Sequence, residues 1–536
     1  MTEEGASYRP DGAGAGASGS SPRGRGLVWA TLAVLTYVAS RLPLMTLGFG
    51  SDSDAWSVAG TAADLFGRGE YHVSRAPGHP LHEAIYALPI FLGGALTSNV
   101  LTLLFSLALL AVVERLGHAL GVSRPWWAAA ILAVNPLFWI TSADSTDFVL
   151  GALLGTSALL AATLGSSRWS GIFLGLGMGT RLEIAVFAFP IAVLSRNRPR
   201  WATFVIAVLA CTACYLRVIV TYRRSPWLFG YLYISGLDWA TRARFFMVAA
   251  WAATGLVPGL MAAGVVLGGW REVTALASRK DPLLRGTLCL AGSYALVTLV
   301  HPGKPTYYVP LLPLAILALT RVAPAAWRAA LLLSFLSYAL IYPDVIDRVG
   351  GSASFVFRWN NGLVVKDWVA RWNAKHAAAM IDQGRRSDCE LMVLGYWLPV
   401  WRWSHLEAIP VATLTPGVRV DPRTNAAFLA REGVRSVHKL DRQEAAAIHR
   451  TGIRLCYGEG IDGFLQEAYG YDIRESGATE IRARDLGSVV SERFTLPTLL
   501  WCRLAEGGWR ECVRSRLEDG EDETARPTAR FSGGKE

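Results

Sequence analysis

The sequence predicts an α-helical protein that crosses a membrane about eleven times and ends in an extracytoplasmic α/β domain. Of its 536 residues, 52% are apolar and only 18% are charged, whereas a soluble domain carries about 25% charged residues. Residues 27–343 form a succession of apolar stretches, several of them near the ~20 residues that a spanning helix needs. Residues 344–536 hold 27 basic and 27 acidic residues, so the net charge of +10 lies wholly in residues 1–343.

This distribution excludes a soluble enzyme and a nucleic-acid-binding protein, because the positive charges lie in short loops between apolar stretches rather than on one soluble face. Residues 1–26 are rich in Gly, Ala and Ser, and we expect a disordered cytoplasmic tail there. Arg23 and Arg25 precede an apolar run that continues to Leu47. That run is longer than the core of a signal peptide and has no cleavage pattern, so it predicts a retained first span.

The positions of the arginines predict the orientation of the spans. With the N-terminus inside, the first span (27–47) emerges at an outer loop, 48–83. The apolar stretch 84–95 is too short to span and is predicted to be re-entrant or interfacial. Two half-length stretches, 170–180 and 184–195, surround Arg181. The other predicted spans are 99–120, 126–142, 147–165, 201–220, 245–268, 286–300, 306–320 and 329–343. Every predicted inner loop except the turn at 95–98 contains Lys or Arg, as the positive-inside rule requires.

This topology divides the chain into the tail 1–26, a transmembrane region 27–343, an extracytoplasmic domain 344–517 and a flexible acidic tail 518–536. In the domain, apolar runs such as Leu391–Leu394 and Ile409–Val411 alternate with helical patterns, which favours an α/β fold. Four cysteines of this region allow disulfides in three connectivities that the sequence leaves open: Cys389, Cys456, Cys502 and Cys512. The chain has 46 Arg and 6 Lys, which indicates a GC-rich bacterial genome and therefore a bacterial inner or plasma membrane.

The unusual charged residues share one side of the predicted membrane, and charges in or near a span indicate a functional site by default. Outer loops or outer span ends contain Asp52, Asp54, Arg75, His79, Asp144, Asp147, Arg223, Arg224, His301 and Lys304. Arg181 and Glu183 lie between the two half-length stretches, in a predicted cavity open to the same side. Carboxylates offer a general base or a metal site, and cations clamp phosphate. The combination fits a substrate that joins a membrane lipid to a phosphate.

Five short motifs of this region, in order, resemble those of the GT-C superfamily, integral-membrane glycosyltransferases that use polyprenyl-phosphate sugars. Ser51–Ala59 resembles the acidic motif that follows the first span in the protein O-mannosyltransferase and aminoarabinose-transferase branches. Arg75–Leu81 is similar to a His-Pro-Pro-Gly-Tyr-Pro-Leu stretch of an O-mannosyltransferase-like branch. The remaining motifs are Asn135-Pro136 with Asp144 and Asp147, Thr180–Glu183, and His301–Pro310. The resemblance covers the membrane half of the chain only.

The resemblance implies an inverting transfer of a sugar from a polyprenyl-phosphate donor to an acceptor on the extracytoplasmic face. A carboxylate of the first outer loop deprotonates the acceptor, and polyprenyl phosphate leaves. We expect Asp54 to be this base, because its spacing to Ala59 fits the family pattern better, with Asp52 as the alternative. The donor phosphate is expected to bind Arg181 and Lys304, with Arg75 and Arg224 behind them.

Other residues are expected to orient the sugar or the acceptor, or to help hold a divalent cation: Asp144, Asp147, Glu183, His79, His301 and Tyr307. The sequence leaves open which sugar is carried and whether a metal is needed. It also leaves open whether the acceptor is a protein, a lipid or a glycan.

Simpler structural roles are open for several of these residues. Asp54 can cap an interfacial helix over 55–66, and Asp144 can cap the following span. Lys304 can anchor at the membrane interface beside Tyr307. Arg181 and Glu183 are too close in sequence to face each other on a helix.

A transporter for a lipid-linked sugar is the alternative function, with the intramembrane charges lining its pathway. The hydropathy shows no obvious inverted repeat, and the polar residues gather on one side rather than along a route. Both observations favour the transferase.

Overall fold

The computed structural model describes most of the membrane half and short parts of the C-terminal half. The described residues are 22–69, 71, 73–75, 77–195, 201–222, 239–300, 304–349, 352–371, 391–393, 435–437, 455–458, 474 and 477–481. Contacts within the chain divide it into two units, residues 1–42 and 43–536. All the site residues discussed below belong to the second unit.

Helices form the described part of the membrane half. Their bounds are α1 Pro22–Met45, α2 Ser53–Arg68, α3 Pro80–Ala119, α4 Trp126–Val134, α5 Pro136–Thr141, α6 Phe148–Thr163, α7 Ser167–Thr180, α8 Ala188–Leu194, α9 Trp201–Tyr222, α10 Trp239–Thr254, α11 Leu256–Gly268, α12 Trp270–Ser278, α13 Pro282–Val300, α14 Leu312–Val322 and α15 Ala325–Leu340. Two 3₁₀ helices, Leu182–Phe187 and Pro305–Leu311, lead into α8 and α14. A further helix, α16, covers residues 363–371.

Five of the described helices are long and apolar enough to cross a membrane, or six if the bent pair α11–α12 is one span. The five are Val28–Met45, Pro80–Ala119, Trp201–Val220, Pro282–Val300 and Pro305–Val322. The protein is therefore an integral membrane protein. The figure of about eleven spans also counted segments that fold as shorter or broken helices, such as Phe148–Thr163 and Ala325–Leu340, and it stays a prediction.

Breaks in the helices fall at residues with a physical reason to break them. Pro136 has no N–H to continue α4, and the Asn135 side chain caps α5 by accepting from the backbone N–H groups of Leu137 and Phe138. Gly94 has a φ of 61°, which favours glycine, and it kinks α3. The predicted stretches 84–95 and 99–120 are thus the two arms of one kinked helix.

Helix α7 packs closely against α9 through glycines that lie one turn apart. A Cβ at Gly171 would lie 2.5 Å from the carbonyl oxygen of Thr203, and a Cβ at Gly175 would lie 2.4 Å from that of Ala207. Small residues at this spacing let two membrane helices approach to backbone contact. The packing matters for the site because α7 ends immediately before Arg181.

We expect Gly175→Ala to destabilise the protein by about 1–3 kcal/mol, because the added methyl group forces α7 and α9 apart. Thermal unfolding of the purified protein in detergent measures the effect. Gly292→Ala is the matched control, because a Cβ at Gly292 in α13 meets nothing within 4 Å. An equal melting temperature for both variants would contradict the role assigned to Gly175.

The C-terminal half begins with an antiparallel hairpin, β1 (Ile341–Val349) and β2 (Ser352–Asn361), followed by α16. Four short strands then pair in parallel in the order β4-β3-β5-β6: β3 Leu391–Val393, β4 Arg435–Val437, β5 Leu455–Gly458 and β6 Thr479–Ile481. Parallel neighbours require crossover connections, as in the predicted α/β fold.

The strand predicted from Leu391 is present, whereas Ile409–Val411 lies outside the described residues. Cys456 in β5 is disulfide-bonded. The other three cysteines of the expected framework, Cys389, Cys502 and Cys512, are outside the described residues. The domain limits 344–517 and 518–536 stay predictions.

Candidate active site

Seven charged side chains form a continuous series in which carboxylates and cations alternate. This series, named here the ion-pair chain, runs Asp52, Lys304, Asp54, Arg75, Asp147, Arg181, Glu183. All seven were predicted for the site from the sequence. They come from five separate segments of the chain, which the fold brings together.

Asp52 and Asp54 have different positions at the start of α2. The Oδ1 atom of Asp52 accepts from the backbone N–H of Asp54 at 3.0 Å, so Asp52 caps the helix. The interpretation of Asp54 as a cap is wrong, because the helix begins at Ser53 and Asp54 lies within its first turn. Its Oδ2 atom lies 3.2 Å from Nζ of Lys304 and 3.5 Å from Nε of Arg75. Lys304 also donates to Asp52.

Arg75 is presented by a loop that Glu83 closes. Glu83 is buried in the first turn of α3, where it accepts from the Tyr71 hydroxyl and from the backbone N–H and hydroxyl of Ser74. Nη2 of Arg75 donates to Asp147, whereas its buried Nη1 atom has no hydrogen-bond partner in the described part of the chain. The sequence analysis missed Glu83, whose only signal was its place shortly after Pro80 at a helix start.

Asp147 is the centre of the ion-pair chain. Its Oδ1 atom accepts from Nη2 of Arg75 and from Nη1 of Arg181, each at 2.9 Å, and its side chain is fully buried. Nδ1 of His79 lies 2.7 Å from Oδ2 of Asp147 and 2.6 Å from the carbonyl oxygen of Thr180. The two contacts are not equivalent, because only the Thr180 contact has hydrogen-bond geometry. One carboxylate therefore holds two buried guanidinium groups.

Arg181 lies at the break between α7 and the 3₁₀ helix that follows, with an extended backbone (φ −152°, ψ 122°). Because this backbone is not helical, Nη2 of Arg181 reaches Glu183 at 2.9 Å. The expectation that these two side chains do not face each other on a helix is not contradicted, because they meet at a break between helices. The guanidinium carbon also lies 4.3 Å from the ring centroid of Phe148 and 4.6 Å from that of Tyr307. Cation–π attraction from both rings helps to fix it.

Burial raises the pKa of the carboxyl groups of the site, and neighbouring cations lower it. Burial favours the neutral form of Asp54, but Arg75 and Lys304 outweigh it and lower its pKa to about 2. The same two opposing causes, with Arg181 and Arg75 as the cations, leave the pKa of Asp147 well below its ordinary value. Burial dominates at Asp144 and raises its pKa to about 7, although Arg371 and the Thr146 hydrogen bonds oppose it.

We expect the raised pKa of Asp144 to appear in the pH dependence of stability. A carboxyl group whose folded pKa is raised contributes stability below its ordinary value of 3.8, and this contribution is lost as the pH rises towards 7. Asp144→Asn removes the titration, so the variant should gain stability relative to wild type between pH 5 and pH 8. Melting temperatures at the two pH values measure this, and a constant difference between the proteins would contradict it.

The remaining predicted residues lie as follows. Asp144 accepts from the backbone N–H and the hydroxyl of Thr146 and does not join the ion-pair chain. Arg224 and His301 lie outside the described residues. Among the residues that the structure describes, no group of three or more His, Cys, Asp or Glu side chains is placed to hold a metal ion.

Two solved structures resemble this chain. They are ArnT from Cupriavidus metallidurans in the apo state, with a TM-score of 0.49 and 13% identity over 84% of this chain and 95% of that one, and ArnT bound to undecaprenyl phosphate, with a TM-score of 0.50 and 13% identity over 82% and 95%. No known protein family and no curated protein matches the chain in sequence. The likeness to the lipid-bound ArnT structure shows a shared fold. The chain therefore has a fold similar to that of ArnT.

Proposed function

We propose that the protein transfers a sugar from a polyprenyl-phosphate donor to an acceptor on the extracytoplasmic face of the membrane. The observation that carries the proposal is the ion-pair chain, in which cations suited to a departing phosphate lie beside a carboxylate suited to act as a base. A solved ArnT structure with a similar fold contains undecaprenyl phosphate, which supports a lipid phosphate as the carrier of the sugar.

Three cations of the ion-pair chain are proposed to hold the donor phosphate: Arg75, Arg181 and Lys304. The buried Nη1 atom of Arg75 has no partner among the described residues, so it has a hydrogen bond to give to an anion. Arg181 is already fixed by Asp147 and two aromatic rings. The phosphate gains negative charge as the glycosidic bond breaks, and cations fixed in advance stabilise that charge without reorganisation. Arg224 remains a candidate for the same role.

Asp54 is proposed as the general base of an inverting transfer. Its pKa of about 2 keeps it ionised but makes it a weak base while Arg75 and Lys304 neutralise it. A bound donor phosphate competes for these two cations, which raises the basicity of Asp54. The acceptor oxygen then gives its proton to Asp54 and bonds to the anomeric carbon, while polyprenyl phosphate leaves with the electron pair of the broken bond. Asp52 is the alternative base.

The other site residues are proposed to position these groups or to orient the sugar and the acceptor. Asp147 and Glu183 hold the arginines, and Tyr307 stacks on Arg181. His79, Asp144 and His301 remain candidates for orienting the acceptor or the sugar, or for holding a divalent cation.

We propose that the protein lies in a bacterial inner or plasma membrane and that its C-terminal half is on the extracytoplasmic side. The disulfide at Cys456 supports this side, because disulfides persist in oxidising compartments.

The test is release of polyprenyl phosphate from a panel of polyprenyl-phosphate sugars by the detergent-purified protein, with solubilised membranes as the source of acceptors. We expect release from at least one donor, and a loss of at least about tenfold in Arg75→Gln. Arg328→Gln is the control, because Arg328 is also buried but donates to Ser123 and makes no contact with the ion-pair chain. Saturable donor binding without release from any donor would overturn the proposal and favour transport.

A further inference from the structure

We propose that Arg371, in helix α16 of the C-terminal half, is a positioning residue for the candidate active site. Together with Asp367 it attaches two loops to α16: the first loop (46–52) and the loop 142–147. The first loop leads to Asp54, and the second carries Asp147. The inference rests on the proposed function and adds a part of the chain that the GT-C resemblance does not cover.

Arg371 is fully buried and makes an unusual set of contacts for a charged side chain. Its Nη1 atom donates to the carbonyl oxygen of Ala143 at 2.6 Å, and Nη2 donates to that of Ile140 at 3.1 Å. These carbonyls lie at and just beyond the end of α5, where a positive charge is favoured. Arg371 therefore closes α5 and fixes the start of the loop that follows it.

Asp367 extends this attachment to the first loop. It lies one turn before Arg371 on α16 and accepts from Nε of Arg371 at 2.7 Å. It also accepts from the hydroxyl of Ser51, which directly precedes the helix cap Asp52. Nη1 of Arg371 lies within 3.5 Å of the carbonyl oxygen of Leu44 at the end of α1. The buried ion pair of Asp367 and Arg371 on α16 thus contacts Leu44, just before the first loop, and Ser51, near the end of that loop.

The two loops are also bonded to each other close to the catalytic candidates. The backbone N–H of Ser145 donates to the carbonyl oxygen of Phe49 at 2.8 Å, and the Ser145 hydroxyl donates to Asn99. Only three residues separate Ala143 from Asp147. The Asp147 carboxylate accepts from Arg75 and Arg181 and so sets the positions of both arginines. A shift of the Ala143 carbonyl is therefore passed directly to the groups proposed to hold the phosphate.

Loss of Arg371 also leaves buried negative charge uncompensated. Arg371→Gln removes the cation that pairs with Asp367 at 2.7 Å. Asp144 lies 3.9 Å from Nη2 of Arg371 and has a pKa of about 7 even beside that cation, so it takes up a proton when Arg371 is lost. A buried carboxylate without a cation disfavours the arrangement that buries it. We expect the loop 142–147 to move, and a misplacement of about 1 Å at an active site costs about 100-fold in rate.

The experiment compares Arg371→Gln, Arg371→Lys and the double variant Arg371→Gln/Asp367→Asn with wild type and with the matched buried-arginine control Arg328→Gln. We expect Arg371→Gln to lower kcat about 100-fold while the donor KM changes less than about threefold, because Coulomb attraction tolerates small displacements and reaction geometry does not. Adding Asp367→Asn should restore kcat at least about tenfold, because it removes the uncompensated carboxylate while its amide oxygen can still accept from the Ser51 hydroxyl. A purely structural role would lower the yield of folded protein and leave kcat per folded molecule unchanged.

Hydrogen exchange provides a readout that does not depend on transfer. Exchange at the amides of 46–54 and 142–147 should rise together in Arg371→Gln and stay at the wild-type level in Arg328→Gln. If the wild type releases no polyprenyl phosphate, the proposed function fails, and this exchange result still decides the inference about Arg371. If Arg371→Gln does not fold, Arg371→Lys, which keeps the charge but loses the paired N–H groups, takes its place. Unchanged kcat or unchanged exchange in the folded variant would overturn the proposal.

Discussion

Asp54→Asn is expected to lower the rate of polyprenyl phosphate release by about 100-fold to 10,000-fold, the range lost when a general base is removed. The amide has the shape of the carboxylate but cannot accept the acceptor's proton. Asp52→Asn should have a much smaller effect, because asparagine caps a helix about as well as aspartate and so preserves the start of α2. Initial rates at saturating donor, measured for both variants in parallel, test the difference.

Donor binding is the control for this comparison. Both variants should still bind polyprenyl phosphate, since the cations of the ion-pair chain remain in place. If Asp52→Asn is the more severe change, the base is Asp52 and the cap is a second role of that residue. If neither variant loses activity, a carboxylate base at the start of α2 is wrong, and so is the inverting mechanism proposed from it.

Asp147→Asn is expected to destabilise the protein by about 3–5 kcal/mol, because it leaves the two buried guanidinium groups of Arg75 and Arg181 without their shared carboxylate. Thermal unfolding in detergent measures the loss. Asp281→Asn is the matched control, because Asp281 is also buried but pairs with Arg321, which is partly exposed, and such a pair contributes about 1 kcal/mol or less.

The effect of polyprenyl phosphate on the melting temperature provides a second test of the role of Asp147. Polyprenyl phosphate supplies negative charge to the uncompensated arginines, so it should raise the melting temperature of Asp147→Asn more than that of wild type. Equal unfolding temperatures for Asp147→Asn and Asp281→Asn would show that Asp147 is not the centre of the site.

Residue type and position along the chain were enough to identify all seven members of the ion-pair chain and the helix break at Arg181. Charged residues near membrane spans are costly and therefore indicate a functional site, and Gly or Pro residues indicate a helix break locally. Both features can be recognised in the sequence. Which members of the ion-pair chain contact one another could not be predicted from the sequence. Lys304 meets Asp52 across 252 residues, and nothing in either segment specifies the other.

The two residues that the sequence analysis missed, Glu83 and Arg371, are important only because of where the fold places them. Arg371 belongs to a charge-balanced part of the chain that carries no membrane signal, and its partner Ala143 lies 228 residues away. Glu83 resembles any acidic residue in the first turn of a helix until the Tyr71–Ser74 loop folds back onto it. The number of spans was harder to predict because several apolar segments fold as short or broken helices.

The attachment of α16 to the two loops has a consequence for biogenesis. A growing chain that has completed α15 at Leu340 has made every described membrane helix, but it still lacks Asp367 and Arg371. The two loops then gain their contacts with Asp367 and Arg371 only after residues 363–371 have been synthesised and have reached the same side of the membrane. Under the proposed function, a chain that ends before residue 363 would insert with both loops unattached, and its transfer rate would fall as in Arg371→Gln.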